Sequence, residues 1–333
     1  MNSRKKGLQV LAMMAVTSLA LTACGEGKAD DETIKVGYSG YTLTNPFFAG
    51  LVEGLERGAE ETDLELVTTN AQEDPDQQHT DVTNLINQGV DYIAINPADG
   101  QAIGPAVQEA KEAGIPVIAL ADTIEAEVDM TISQNHVDAG EMATRELVTF
   151  LEDKNGDPEG KVVNIQGMAG SPAASGREEG FQNVISEYPD IDVVATADGG
   201  WDTSVSNTVM SDILQANSDI DAVFAANGAQ AVGVSRAIEA ADRFVPVGED
   251  GHIFVVGIDA PKPAVENIRA GIQDAEVSQQ PIAMAEEMMR IVEKHANGEE
   301  FEENIEWPSQ LLTAENLDSE EVQEFGIWSD EVE

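Results

Sequence analysis

Cysteine is almost missing from this chain of 333 residues: Cys24 is the only one. An internal disulfide framework, a Cys-x-x-Cys redox couple and a multi-thiolate metal site are thereby excluded, so the fold must be held by its core alone. Basic residues are also scarce, with 17 Lys and Arg against 63 Asp and Glu and a net charge of −46. Such a charge repels phosphate backbones and anionic lipid heads, so neither nucleic acid nor broad contact with a membrane surface is expected. Self-repulsion of this size is tolerated best where salt screens it, and a saline or alkaline habitat accounts for it better than an acidic docking face. Histidine is limited to His79, His136, His252 and His295, scattered without metal-ligand spacing. The chain has no Gly-x-Ser-x-Gly elbow, His-Glu-x-x-His or P-loop, and residues 167–176 lack the spacing of a dinucleotide loop. Among so many acids a pair of carboxylates carries no information. No catalytic residue, metal or cofactor is therefore expected, and the chain reads as a binding protein rather than an enzyme.

Long apolar runs are lacking too. Residues 7–20 form a mostly apolar run after Arg4, Lys5 and Lys6, but the run is shorter than the ~20 residues that span a bilayer. It ends in Leu21, Thr22, Ala23 and Cys24, which resembles the lipobox of bacterial lipoproteins. That resemblance implies a signal peptide over residues 1–23, lipidation of the Cys24 thiol, and a tether over residues 24–33. An ordinary secretory signal cut after Ala23 is the plainer alternative. Either way the expected location is outside the cytoplasm, and the lipid would be the only membrane contact.

What is present is an alternation of strand and helix signals over about 300 residues, the pattern of parallel sheets covered on both faces. Strands are predicted at residues 34–38, 64–68, 92–95, 117–120, 162–165, 193–196, 222–225 and 253–258. Helices are predicted at 47–61, 76–88, 104–113, 139–152, 177–187, 204–216, 229–241 and 281–297, each with apolar residues three and four apart. The two halves follow one plan. One strand ends in Ile95 and Asn96, its counterpart in Ala226 and Asn227; a later pair is followed by Asp122 and by Asp259.

In open α/β sheets ligands bind beyond the carboxyl ends of the strands, so polar residues recurring there in both halves predict a cleft lined from two sides. The loops after the first strands add residues 44–48 and 170–177. Aromatic rings, short amides, two carboxylates and one guanidinium suit a neutral molecule with many hydroxyls, because rings pack on C–H faces while Asp, Asn and Arg hydrogen-bond its oxygens.

Several segments carry a resemblance: Asn45-Pro46-Phe47-Phe48; Ile95-Asn96-Pro97; residues 166–170 with Ala173, Ala174 and Arg177; Gly257-Ile258-Asp259; and Gln279-Gln280-Pro281. In order and spacing they resemble the ribose and galactose type of substrate-binding protein of ABC transporters, over nearly the whole mature chain. The resemblance implies an α/β fold of two doubly wound parallel-sheet domains joined by three crossovers, the type I periplasmic-binding-protein fold. One domain would comprise residues 34–134 and 280–308, the other 135–279 and 309–333. It implies ligand contacts at Asn45, Phe47, Phe48, Asn96, Asp122, Asn135, Arg177, Trp201, Asn227, Asp259 and Gln279; the resemblance also touches His136, which by itself reads as unremarkable. The implied partners are a monosaccharide or polyol and the permease subunits of an ABC transporter, with the binding protein itself a monomer. A receptor for chemotaxis or quorum sensing on the same fold is the alternative. Two departures from ribose binders stand out. Ala121 and Asp122 occupy the place of an Asp-Arg pair, and Gly228 stands where Asp often follows the asparagine. Trp201 with Asp202 resembles hexose-type members, which points away from ribose.

Overall fold

The computed structural model describes residues 33–328. The expected signal peptide, Cys24 and the tether up to residue 32 lie outside the described residues, as do residues 329–333. The chain begins with β1 (Lys35–Gly40), α1 (Pro46–Thr62), β2 (Glu65–Asn70), α2 (Pro75–Gln88), β3 (Tyr92–Ile95), α3 (Gly104–Glu112), β4 (Val117–Ala121) and β5 (Met130–Gln134). A second run follows: α4 (His136–Asn155), β6 (Gly160–Gln166), α5 (Pro172–Ile185), β7 (Ile191–Asp198), α6 (Thr203–Ala216), β8 (Ala222–Ala225) and α7 (Gly228–Ala240). It continues through β9 (Phe254–Asp259), α8 (Lys262–Arg269) and β10 (Ala275–Ser278). The chain then returns with α9 (Pro281–Ala296), β11 (Asn304–Trp307) and β12 (Gln310–Thr313), and closes on a π-helical turn at Val322–Gly326.

These strands form two six-stranded sheets, ordered β11-β5-β4-β3-β1-β2 and β12-β10-β9-β8-β6-β7. All neighbours run parallel except β12, which lies antiparallel to β10. The chain crosses between the sheets three times, after β5, after β10 and after β11. Two doubly wound domains joined by three crossovers are thus the observed architecture.

Each sheet is covered on both faces, which is why β3 and β4 are apolar and buried at every position. One face of the first sheet packs Val36, Tyr38 and Ile118 against α1 and α9; the other packs Ile93 and Ile95 against α2 and α3. In the second sheet α4 and α5 take one face and α6 and α7 the other. Close approach of α1 to α9 depends on Gly54, where a β-carbon would strike the Ile282 carbonyl. Among the described residues no helix is long and apolar enough to cross a membrane.

Helices begin at the carboxyl ends of the strands, and their caps are the same short polar residues that gather near the cleft. Asn45, Ser171, Asp202 and Asn227 each accept a bond from the first turn of α1, α5, α6 and α7. Residues 170–177, expected as loop, are helical from Pro172 onward, because Ser171 caps and Pro172 occupies the first helical position. The structure also adds β5, α8, β10, β11 and β12 to the elements expected from sequence.

Candidate functional site

Between the carboxyl edges of the two sheets lies a cavity of about 480 Å³, counting the part open to solvent. Its wall takes Asn45, Phe47, Phe48 and Asp122 from the first domain, and Arg177, Trp201, Asn227 and Asp259 from the second.

The second-domain half is built around Arg177, which lies on α5 and is 4% exposed. Its Nη1 donates to the Ala226 carbonyl at 2.7 Å, and its Nη2 donates to Asp259 Oδ1 at 2.8 Å and Gln279 Oε1 at 2.7 Å. Three acceptors from three strand ends hold the guanidinium plane in place. Burial raises the Asp259 carboxyl above the usual carboxylate range, although Arg177 pulls the other way. Asn227 caps α7 in a reciprocal capping box with Gln230.

The first-domain half centres on Asp122. Its Oδ2 accepts from Asn96 Nδ2 at 2.9 Å, and its Oδ1 lies 2.9 Å from His136 Nε2. The His136 approach is oblique, which leaves both atoms without a well-formed hydrogen bond to protein. Burial alone would raise Asp122, but His136, Asn96 and the charge of Arg177 outweigh it and hold the carboxyl below its ordinary value. Gln134, at the end of β5, is 3% exposed and has neither amide atom bonded to protein.

Aromatic faces complete the wall. The ring of Phe48 meets those of Phe47 and Tyr41 edge-on, with centroids 5.6 and 5.4 Å apart. Opposite them Trp201 lies over Gly167, where any β-carbon would overlap the indole, and the Arg177 guanidinium sits 5.5 Å from its ring centre. The domains touch at the mouth: Asn45 Nδ2 donates to the Trp201 carbonyl at 3.4 Å, and the Tyr41 hydroxyl lies 3.5 Å from Met168 Sδ.

Eight of the residues expected from sequence therefore share one cavity wall, and three do not. Asn96 stands behind Asp122 and Gln279 behind Arg177. Asn135 caps α4, accepting from Asp138 N at 3.2 Å, and the wall position falls to His136, the next residue. Ser171 falls within the expected segment 170–177, whereas sequence reasoning missed Tyr41, Gln134 and the place of His136. Only the resemblance, which touches residues 135 and 136, offered a signal for the last.

A family model described as a periplasmic binding protein domain matches residues 36–300. The ribose import binding protein of Bacillus subtilis (strain 168) is 32% identical over 319 residues, covering 93% of this chain and 99% of that one. A xylitol-binding protein of Mycolicibacterium smegmatis is 28% identical over 313 residues, 92% of this chain and 86% of its own. A solved ABC transporter solute-binding protein of Bacillus halodurans C-125 with bound myo-inositol is similar at a TM-score of 0.79 and 28% identity, covering 89% of this chain and 99% of that one. Fold, cleft and relatives agree: the chain belongs to the type I periplasmic binding proteins, which are not enzymes but the extracytoplasmic components that capture a sugar and deliver it to an ABC transporter.

Proposed function

We propose that this protein closes on one neutral monosaccharide or cyclic polyol, held by Asn45, Phe47, Phe48, Asp122, Arg177, Trp201, Asn227 and Asp259, with Asn96 and Gln279 supporting from behind. The observation that carries the reading is the convergence of unbonded, buried polar atoms on the cavity. Asp122 Oδ1, both amide atoms of Gln134, both ring nitrogens of His136 and Arg177 Nε have no hydrogen-bond partner in the protein. Buried groups of this kind are costly unless something bonds them. A polyhydroxylated ring supplies both donors and acceptors, and its C–H faces fit between Phe48 and Trp201. Charge supports a neutral ligand, since the one guanidinium in the wall, Arg177, is already matched by Asp259. Trp201, together with Asp122 beside Ala121, favours a hexose-sized ring over ribose.

The protein acts as a monomer, tethered through a lipid on Cys24. A thermal-shift screen of the lipid-free protein against pentoses, hexoses, inositols and alditols tests the ligand class. A ligand at 100 times its dissociation constant adds ~2.7 kcal/mol of stability, a readily measured shift. No shift with any of them refutes the sugar reading. Cys24→Ser should move the protein from the membrane fraction to the soluble fraction with binding intact; retention in the membrane refutes the anchor.

A further inference from the structure

Asp259 aims its carboxylate from a strained piece of backbone. Its φ is 105° and that of Ala260 is 58°, two successive residues with side chains in a region that favours glycine. The peptide group joining them is clamped at both ends. Its carbonyl accepts from Trp328 Nε1 at 2.7 Å, and its N–H donates to Glu276 Oε2 at 3.0 Å. Both clamps are buried: Trp328 is 1% exposed and Glu276 is 0% exposed.

Neither clamping residue lines the cavity. Glu276 lies on β10, where its other oxygen accepts from Gln273 Nε2 at 2.6 Å. Its carboxyl occupies space left by two glycines, Gly257 on β9 and Gly228 at the start of α7. Trp328 comes from the segment beyond the last π-helical turn. Its ring also lies on α1 of the other domain, where a β-carbon on Gly50 would come within 2.9 Å of it.

We infer that Glu276 and Trp328 are positioning residues for ligand binding, fixing from two sides the peptide that aims Asp259 at Arg177 and at the sugar. A peptide free to rotate would relax toward ordinary φ values and swing the carboxylate away from Nη2. Trp328 touches both the Asp259 carbonyl and α1, so it also ties the geometry of the second-domain half to a helix of the first. Burial pushes the Glu276 carboxyl up to about 8, with Asp259 adding to the rise while the Ala260 N–H, Gln273 and Arg177 oppose it. Glu276 is thus a neutral acceptor below that pH, and above it a second negative charge behind Asp259.

The inference rests on the sugar-site reading above, and one set of variants separates the two. The parent, Asp259→Asn, Glu276→Ala, Glu276→Gln and Trp328→Phe are titrated with D-ribose, xylitol and myo-inositol by calorimetry, and unfolded in urea. Glu276→Ala and Trp328→Phe should each weaken binding about tenfold, yet change it less than about twofold when Asp259 is already asparagine. Glu276→Gln keeps an acceptor for Ala260, so it should bind like the parent at about pH 6.5 and escape the parent's loss of affinity as pH rises through 8. Equal losses with and without the Asp259 change, or full affinity in both Glu276→Ala and Trp328→Phe, overturn the positioning role. Full affinity in Asp259→Asn instead overturns the site reading. If the parent takes none of the three probes, urea unfolding decides: the coupling between Arg177 and Asp259 in a double-mutant cycle must shrink in the Trp328→Phe background, and undiminished coupling overturns the inference.

Discussion

The two halves of the cleft start from one plan of strand, loop and helix and finish it differently. In the second domain the cation of Arg177 is satisfied on three sides by protein acceptors, and Asp259 is bonded to it. In the first, Asp122 Oδ1 and the whole Gln134 amide are buried without a hydrogen bond. The Arg177 cluster, with most of its bonds already made, keeps its shape at little further cost. Unused valences that a ligand can fill remain on both sides of the cleft, at Asp122 Oδ1 and Gln134 in the first domain and at the His136 ring nitrogens and Arg177 Nε in the second. Only the second domain thus fixes a charged group in place before any ligand arrives, although repetition of the plan suggests two equal jaws.

Arg177→Ala should produce the largest effect. It strands Asp259 in the interior, which costs about 3–5 kcal/mol when a buried pair loses one partner, and it should weaken sugar binding more than about a hundredfold. Urea unfolding and calorimetry read the two numbers; a stable variant with parental affinity would erase the distinction between the halves. Trp201→Ala comes next, with affinity falling about tenfold or more and the urea midpoint nearly unchanged, since the ring is part-exposed at the mouth.

Acidity sharpens the comparison further. The folded Asp122 carboxyl is depressed, so the folded state binds fewer protons than the unfolded one just below the ordinary value of 3.8. Its contribution is full above 3.8 and is lost as pH falls through the depressed value. Asp259 is raised, so its folded form holds the proton more tightly, and stability declines as pH climbs from 3.8 through the raised value. Melting curves between about pH 3 and 7 should therefore flatten on the acid side in Asp122→Asn and on the opposite slope in Asp259→Asn. Identical shifts in both variants would show that the halves do not differ electrostatically. The smallest expected effect is that of Glu239→Ala, an exposed position on α7. It should change affinity by less than about twofold, because exposed substitutions away from bonded features fall within ±0.5 kcal/mol.

Much of this was legible in the sequence because the strands near the middle of each sheet are buried on both faces and read as unbroken apolar runs. β3 and β8 fall on the expected residues for that reason. The edges were not legible. β11 alternates exposed and half-buried positions, and β10 places Glu276, which reads as a surface residue, in the interior. Asp122, Arg177 and Asp259 could be found because they stand just after strands or beside a recognisable segment. Gln134 could not, since it ends a strand whose residues Met-Thr-Ile-Ser-Gln carry a weak signal. His136 and Asn135 are a single residue apart, and only the bond from Asp138 decides which of them turns outward to cap the helix.

The return of the chain to the first sheet has a consequence for how the molecule is made. β11 pairs with β5 across some 170 residues of sequence, and α9 covers Leu51, Leu55 and Ile118 from similarly far downstream. A growing chain that has produced only its first five strands therefore carries a sheet with one face only partly covered, by α1 without α9, and an unfinished edge. Contacts so distant along the chain form late and slowly. For a protein that works outside the cytoplasm, completion of the first domain thus waits for the C-terminal segment, whatever part of the chain has already emerged.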